Sequence, residues 1–93
     1  MSAVARHDAS PPWSEADLRT AIRAALARAL RLDPHEIDDN RDFDSYGLPS
    51  LEAVELTAEM EDLIGRPVDA EAALDHASVA RLAAHLARLA AQP

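Results

Sequence analysis

Apolar side chains recur at helical spacing in three stretches of this chain, and no stretch alternates in the way that a strand does. The spacing predicts helices over residues 14–32, 50–64 and 78–90, with a short helix near residues 69–74. Charged side chains fall on the other sides of these stretches. The sequence therefore predicts an all-α fold: a small irregular four-helix bundle with three main helices and one short helix.

Residues that cap or break helices mark the ends of these segments. Ser14, which acidic residues follow, is typical of a helix N-cap, and Ser78 has the same place before the last helix. Pro34 stops the first helix near Leu32, and Gly65 ends the second. The capping residues and the apolar spacing thus indicate the same boundaries.

Composition limits what these helices can enclose. A chain of 93 residues with one Trp, one Tyr and one Phe supports one domain with a modest core of aliphatic side chains and alanine. The chain has no cysteine, which excludes disulfides and thiolate metal sites. Any thiol that the protein uses must therefore come from a cofactor.

The ends of the chain and its hydropathy predict the domain boundaries and the location. Residues 1–13 lack useful periodicity and are predicted to be a flexible N-terminal tail, with the folded domain over residues 14–91. No apolar run is long enough to span a bilayer and no signal peptide is visible, so we expect a cytoplasmic location. We also expect a monomer.

The charge of the chain is concentrated in one region. The formal net charge is -8, but residues 33–62 alone contain eleven acids and one cation, Arg41, which gives -10. Such a field disfavours nucleic acid and anionic membranes as partners, because both bind clustered cations. It favours partner proteins that present a basic patch and speeds their association.

The helix predicted over residues 50–64 has three faces. Its core face is formed by Ala53, Leu56, Met60, Leu63 and Ile64. Its outer face is an acidic stripe of Glu52, Glu55, Glu59 and Asp62. Beside this acidic stripe runs an apolar strip of Leu51, Val54 and Ala58. Because a helix that only packs needs one apolar face, we interpret the stripe and the strip as a docking surface. The alternatives are an ordinary solvated face and, for Val54 and Ala58, a place in the core.

A long polar loop over residues 33–49 leads to this helix, and loops of this length in compact domains are often functional. The apolar residues predicted to anchor it on the core are Ile37, Phe43, Tyr46 and Leu48. The loop delivers Ser50 to the start of the helix. There an exposed hydroxyl faces the positive end of the helix dipole, an environment that tolerates a phosphate ester. The alternative is that Ser50 is only a helix N-cap.

The residues around this serine form the motif Gly47-Leu48-Pro49-Ser50-Leu51. The motif resembles the attachment site of acyl carrier proteins, in which Gly-x-Asp-Ser-Leu is followed by Val-Glu-Leu. The family residues that the chain keeps are Gly47, Ser50, Leu51, Val54, Glu55 and Leu56. Pro49 suits the first helical position, but it stands where the family has Asp, often a contact of the modifying transferase. The resemblance covers residues 14–90 in the order of helices and loops.

The resemblance implies a carrier protein and not an enzyme. A phosphopantetheinyl transferase would use coenzyme A and Mg²⁺ to attach 4′-phosphopantetheine to Ser50, and acyl groups would travel on its thiol as thioesters. Further implied partners are an acyltransferase, a ketosynthase or other enzymes with basic docking patches. Family resemblance and the charge pattern together predict these partner contacts: Glu52, Val54, Glu55, Ala58, Glu59, Glu61 and Asp62.

The motif looks closer to acyl carriers of polyketide type than to peptidyl carriers, which commonly show Gly-Gly-His/Asp-Ser. The expected function is therefore the delivery of acyl intermediates in polyketide, related natural-product or fatty-acid biosynthesis. A peptidyl or aminoacyl carrier is the alternative within the class. An acidic helical interaction module without a prosthetic group is the alternative outside it.

The histidines do not indicate a catalytic or metal site. His35, His76 and His85 are scattered without the spacing of metal ligands. A Ser-His-Asp hydrolase built from Ser50 and His76 would lack both the Gly-x-Ser-x-Gly motif and the sheet that supports such a nucleophile. His76 is instead predicted to pack where the short third helix meets the last helix.

Overall fold

The computed structural model describes residues 13–92, and four α-helices account for most of them. The helices are α1 (Glu15–Leu30), α2 (Ser50–Ile64), α3 (Ala72–Asp75) and α4 (Val79–Ala91). Two 3-10 helices, Pro34–Glu36 and Phe43–Tyr46, lie in the long connection between α1 and α2. The described part of the chain contains no strand, and the predicted all-α bundle of three main helices and one short helix is confirmed.

The helix boundaries lie close to the predicted ones. Ser14 caps α1 as predicted: its hydroxyl accepts a hydrogen bond from the Asp17 backbone N–H at 3.0 Å, and the Asp17 carboxylate accepts one from the Ser14 N–H at 3.4 Å. α1 ends at Leu30, shortly before the predicted end at Leu32. Ser78 caps α4, also as predicted. None of the helices described has the length and apolar character needed to cross a membrane.

The core lies between α1, α2 and α4, and α1 packs most extensively against α4. The fully buried side chains of this pair include Leu18, Ile22, Leu26, Val79, Leu82 and Leu86. Each contributes about 1.5–3 kcal/mol through burial. Trp13, the last residue of the predicted tail, is half-buried against the core. The rest of that tail, residues 1–12, lies outside the described residues.

The buried face of α2 differs from the predicted face at one edge. Its buried residues are Ala53, Leu56, Thr57 and Met60. Ile64 is half-buried, but the prediction was wrong for Leu63, which is 39% exposed. The buried face is rotated towards Thr57 because α2 packs against α3 as well as α1. Leu63 lies on the opposite edge of that face, towards α1.

Thr57 joins α2 to α3 through its buried hydroxyl. The hydroxyl donates a hydrogen bond to the Ala53 carbonyl oxygen within α2 at 3.1 Å. It accepts a hydrogen bond from the Ala73 N–H of α3, also at 3.1 Å. A buried N–H without an acceptor costs about 1–3 kcal/mol, so this threonine stabilises the short helix where it meets α2.

The long connection between α1 and α2 is fastened to the rest of the fold. Its predicted anchors face the core: Ile37, Phe43 and Leu48 are buried and Tyr46 is half-buried. The Phe43 N–H donates to the Ala77 carbonyl oxygen at 2.8 Å, just before α4. The Asp39 carbonyl oxygen accepts from the Ala80 N–H of α4 at 2.9 Å. These backbone hydrogen bonds hold the connection against the start of α4.

Asp39 also ties the connection to α1 through its carboxylate. Arg23 donates to this carboxylate at 2.8 and 3.1 Å, and Arg19 donates to it at 3.4 Å. The Arg23 hydrogen bonds lower the pKa of the Asp39 carboxyl, although partial burial acts in the opposite direction. The ionised carboxylate therefore stabilises the fold at neutral pH, and this contribution is lost as the pH falls through the lowered pKa.

Candidate functional site

Ser50 is the first residue of α2, and its side chain is exposed. Gly47 ends the preceding 3-10 helix in the left-handed region with φ 78°, a conformation that suits glycine. Pro49 is the N-cap of α2, with φ -67° and ψ 152°, one position before its predicted place. No side chain caps this helix end, so the alternative in which Ser50 is the N-cap is wrong.

The start of α2 suits a phosphate group. Pro49 has no N–H, and the N–H groups of the first helical residues have no acceptor inside the helix. They lie at the positive end of the helix dipole, where negative charge is stabilised. A phosphate ester on the Ser50 oxygen would therefore lie in a favourable field.

A cleft of about 260 Å³ with apolar and acidic walls opens beside Ser50. Its apolar walls are formed by Phe43, Leu48, Ala53, Ala73, Leu74 and Ala77. Asp42 and Asp44 line it as well. Leu51, the neighbour of Ser50, is 69% exposed and adds apolar surface next to the hydroxyl. The alanines on the walls leave space for a chain attached at Ser50.

The acidic stripe of α2 lies largely on the surface. Glu55 and Asp62 are exposed, and Glu52 is half-buried. Glu59 is exposed, and its carboxylate accepts a hydrogen bond from the Arg28 guanidinium of α1. Within residues 13–92, the other three stripe carboxylates form no ion pair. They therefore keep their charge available for a partner.

The apolar strip of α2 divides between surface and core. Leu51 and Ala58 are exposed, whereas Val54 is half-buried. The alternative that places Val54 and Ala58 in the core is thus wrong for Ala58 and applies to Val54 in part. Glu61 is half-buried, and its carboxylate accepts a hydrogen bond from the Val68 N–H at 3.3 Å. Glu61 therefore supports the turn after α2, in addition to its predicted place among the partner contacts.

His76 lies where α3 meets α4, as predicted, and stacks on His85. The ring centroids are 4.1 Å apart and the ring planes differ by 14°. Burial, with repulsion from His76 and Arg88, lowers the pKa of His85, while attraction by Asp69 and Asp75 acts in the opposite direction. Among the described residues, no group of side chains has the arrangement of a metal site. The stacked pair joins the end of α3 to α4.

We expect the free energy of unfolding to fall as the pH drops from about 7.5 to about 5.5. The unfolded chain binds a proton on His85 near the usual pKa of about 6.5, whereas the folded protein binds it only at a lower pH. Protons therefore favour the unfolded chain in this range. Urea unfolding at several pH values, followed by circular dichroism, measures the slope, which His85→Gln should reduce. His35→Gln, at an exposed histidine, is the control, and identical slopes in wild type and His85→Gln would contradict the prediction.

Sequence reasoning missed three residues that shape the site. Asp42 and Asp44 are among the eleven acids of residues 33–62 and had no predicted role of their own, although they line the cleft beside Ser50. Their place so close to the serine in the sequence was an available signal. Arg28 had no predicted role either, and nothing in the sequence indicates that it reaches Glu59 on the neighbouring helix α2.

Fold and site together define a class of protein: a small helical bundle that presents an exposed serine at the start of an acidic helix. The family model described as "Phosphopantetheine attachment site" matches residues 20–86. The chain therefore belongs to this family of carrier proteins. Its members carry covalently attached 4′-phosphopantetheine and are carriers, not catalysts.

Curated relatives belong to polyketide synthases. A phenolphthiocerol/phthiocerol polyketide synthase subunit of Mycobacterium tuberculosis (strain ATCC 25618 / H37Rv) is 33% identical to this chain over 72 residues. The protein of the same name in Mycobacterium bovis (strain ATCC BAA-935 / AF2122/97) has the same identity over the same length. The match covers 77% of this chain but 4% of each relative. The chain is thus similar to one small part of a much longer protein.

Two solved structures share the fold. The crystal structure of a free-standing peptidyl carrier protein from an uncharacterized Acinetobacter baumannii secondary metabolic pathway has a TM-score of 0.77 at 29% identity, over 82% of this chain and 95% of that chain. The NMR structure of the HMG-ACPI domain from the CurA module of Lyngbya majuscula has a TM-score of 0.74 at 22% identity, over 86% of this chain and 84% of that chain. The second likeness shows the fold alone.

Proposed function

We propose that this protein is a cytoplasmic acyl carrier that acts in polyketide, related natural-product or fatty-acid biosynthesis. Ser50 bears the 4′-phosphopantetheine arm, and acyl intermediates travel on the terminal thiol as thioesters. The observation that carries the proposal is the exposed hydroxyl at the start of α2, inside the part of the chain that matches the attachment-site family. In this proposal the carrier domain is residues 14–91.

The loading reaction needs one nucleophile from this chain. In a phosphopantetheinyl transferase that supplies Mg²⁺, the Ser50 Oγ attacks the β-phosphate of coenzyme A. A new O–P bond forms while the bond to adenosine 3′,5′-bisphosphate breaks, and the hydroxyl proton passes to a base of the transferase. The phosphodiester product keeps one negative charge beside the first N–H groups of α2, where the helix dipole stabilises it.

The loaded protein then works by holding its cargo near successive partners. A tether raises the effective concentration of the acyl group at each active site, so that transfer becomes a local event. The contribution of this chain is to position the arm. Ser50 is exposed, and the cleft of about 260 Å³ beside it, with apolar and acidic walls, offers a place for part of the arm between transfers.

The acidic stripe supports docking on basic surfaces of partner enzymes. The proposed partners are the transferase and an acyltransferase, a ketosynthase or other enzymes with basic docking patches. The proposed contacts are Glu52, Val54, Glu55, Ala58, Glu59, Glu61 and Asp62. Exposed carboxylates attract basic side chains of a partner over a distance. Salt screens this attraction and each contact is weak, so docking is fast and reversible. Such docking suits a monomer that moves between enzymes.

Two observations bear on the cargo. The relatives named as parts of a polyketide synthase favour an acyl cargo. The likeness to a free-standing peptidyl carrier protein supports a peptidyl or aminoacyl cargo as the second candidate. Offering the loaded protein to an acyltransferase with an acyl coenzyme A, and to an adenylating enzyme with an amino acid and ATP, separates the two. The intact mass shows which group is transferred.

Loading itself is the first test of the proposal. The purified protein is incubated with coenzyme A, Mg²⁺ and a broad-specificity phosphopantetheinyl transferase, and its intact mass is measured. We expect the gain of one phosphopantetheine. No gain with several transferases, including that of its own pathway, would favour an acidic helical interaction module without a prosthetic group.

Reversing one charge of the acidic stripe tests docking. Glu55→Arg should lower kcat/KM for acyl transfer from a partner enzyme by roughly three- to tenfold at low salt, because like charges then meet at the contact. Glu55 is exposed, so the helical content should not change. Glu15→Arg, on the first turn of α1, makes the same change of net charge outside the stripe. Equal effects of the two variants, or no effect of Glu55→Arg, would mean that the stripe does not dock on the partner and serves only solubility.

A further inference from the structure

Two grooves run along the seam between α1 and α2. The first groove has a volume of about 320 Å³; buried Leu26 and Leu56 line it together with Glu52 and Glu55. The second groove has a volume of about 430 Å³ and contains the exposed Leu63. Each groove therefore combines apolar surface from the two helices with acidic side chains of α2.

One ion pair forms the boundary between these grooves. Arg28 of α1 and Glu59 of α2 line both of them, and the guanidinium of Arg28 bonds to the Glu59 carboxylate. The two side chains are 64% and 49% exposed. An ion pair with this exposure is weak and exchanges readily with competing charges. Another cation can therefore displace Arg28 from Glu59 and remove the boundary between the grooves.

The pair also shows what this surface accepts. Arg28 reaches a stripe carboxylate from a position beside Ala25 and Ala29, which line the first groove with it. Long cationic side chains favour such sites, because the aliphatic stem covers apolar surface and the charged head stays near water. Glu52 and Glu55 offer the same combination in the first groove, and they form no ion pair within residues 13–92.

We propose that the α1–α2 seam is a docking trough for arginine or lysine side chains of a partner protein, and that Arg28 is an internal competitor for Glu59. The inference rests on the proposed function and adds α1 to the docking surface. A partner first engages Glu52 and Glu55, on the Ser50 side of the boundary. A partner that reaches Glu59 displaces Arg28, which joins the two grooves and brings Leu63 into the contact. The negative charge of the region selects a basic protein surface.

A double-mutant cycle tests the competition. The variants are Arg28→Gln, Glu59→Gln and both together, and the readout is kcat/KM for loading by a broad-specificity phosphopantetheinyl transferase at low salt. Arg28→Gln should raise kcat/KM by about two- to fivefold, because it frees Glu59 for the transferase. In the Glu59→Gln background the same change should have no further effect. Equal gains in both backgrounds, or no gain in either, would overturn the proposal.

Two further variants separate competition from net charge and from stability. Arg88→Gln removes one cation from the exposed side of α4. If it raised kcat/KM as much as Arg28→Gln, the effect would be one of net charge, and the proposal would be overturned. Arg28→Lys keeps a cation at the boundary, so its gain should be smaller than that of Arg28→Gln, whereas an equal gain would again count against competition. Thermal unfolding of each variant, followed by circular dichroism, shows that the compared proteins are folded.

A measurement without loading distinguishes failure of this inference from failure of the proposed function. The unloaded, ¹⁵N-labelled protein is titrated with a helical peptide that carries arginines on one face. Amide shifts should change in α1 at Ala25 and Ala29 as well as in α2. Shifts confined to α2 would overturn the trough even if Ser50 is loaded normally. Absence of loading, with shifts in both helices, would instead count against the carrier function.

Discussion

Replacing Ser50 with alanine should abolish loading, so that the intact mass stays at the unmodified value after incubation with coenzyme A, Mg²⁺ and a transferase. The alanine side chain has no oxygen to attack the β-phosphate. The fold should be retained, because Ser50 is exposed and does not cap α2. Alanine is also the best helix former, so the free energy of unfolding should change by less than about 0.5 kcal/mol. The large loss of loading would thus come without loss of structure.

Ser45→Ala is the matched control for this variant. Ser45 is also exposed and lies shortly before Ser50 in the sequence. Its hydroxyl accepts a hydrogen bond from Arg41 and donates one to the Asp42 carbonyl oxygen, both at 2.7 Å. Loading of Ser45→Ala should equal that of the wild type. A mass gain that persists in Ser50→Ala and maps to another residue would contradict the assigned position.

Replacing Phe43 with alanine should lower the free energy of unfolding by about 3–5 kcal/mol, far more than Ser50→Ala should. Phe43 is 3% exposed, and among the described residues it is the one aromatic ring that is fully in the core. The total free energy of unfolding of small domains is about 5–15 kcal/mol, so the variant should lose a large share of its stability. Urea unfolding followed by circular dichroism measures the change.

The effect of Phe43→Ala should extend to the site, because the ring lines the cleft beside Ser50. Loading should therefore slow together with the loss of stability. Phe43→Leu is the control: it keeps most of the buried volume and should cost about 1–2 kcal/mol. Both variants retain the backbone hydrogen bond to Ala77, so the difference between them reports side-chain packing. A loss below about 1 kcal/mol in Phe43→Ala would show that this ring does not anchor the connection.

Much of the fold could be predicted because the signals for helices are local. Ser14 and Ser78 cap their helices through hydrogen bonds to residues three positions away, a pattern that the sequence displays directly. Gly65 ends α2 in the left-handed region, as a glycine after an apolar run indicates. The position of Ser50 at the start of α2 was predictable for the same reason.

What could not be predicted depends on how the helices pack against one another. Thr57 and Leu63 lie on opposite edges of the buried face of α2, and the sequence does not show which edge α3 will cover. α3 covers the Thr57 edge, and a polar residue is buried while a leucine is left half-exposed. Arg28 and Glu59 are 31 positions apart and meet only because α1 and α2 lie side by side. Helical periodicity in one segment carries no information about such a contact.

The fastening of the long connection fixes the position of Ser50 relative to the bundle. The Phe43 N–H donates to the Ala77 carbonyl oxygen and the Asp39 carbonyl oxygen accepts from the Ala80 N–H, which fixes this segment to the beginning of α4. Two arginines of α1 also bind the Asp39 carboxylate. Ser50 follows directly after that segment, so the position of its oxygen relative to the bundle is fixed. In the proposed function, the reach of a cargo is set by the rotatable bonds of the arm on Ser50, and every enzyme that handles the cargo must bring its active site within one arm's length of this position.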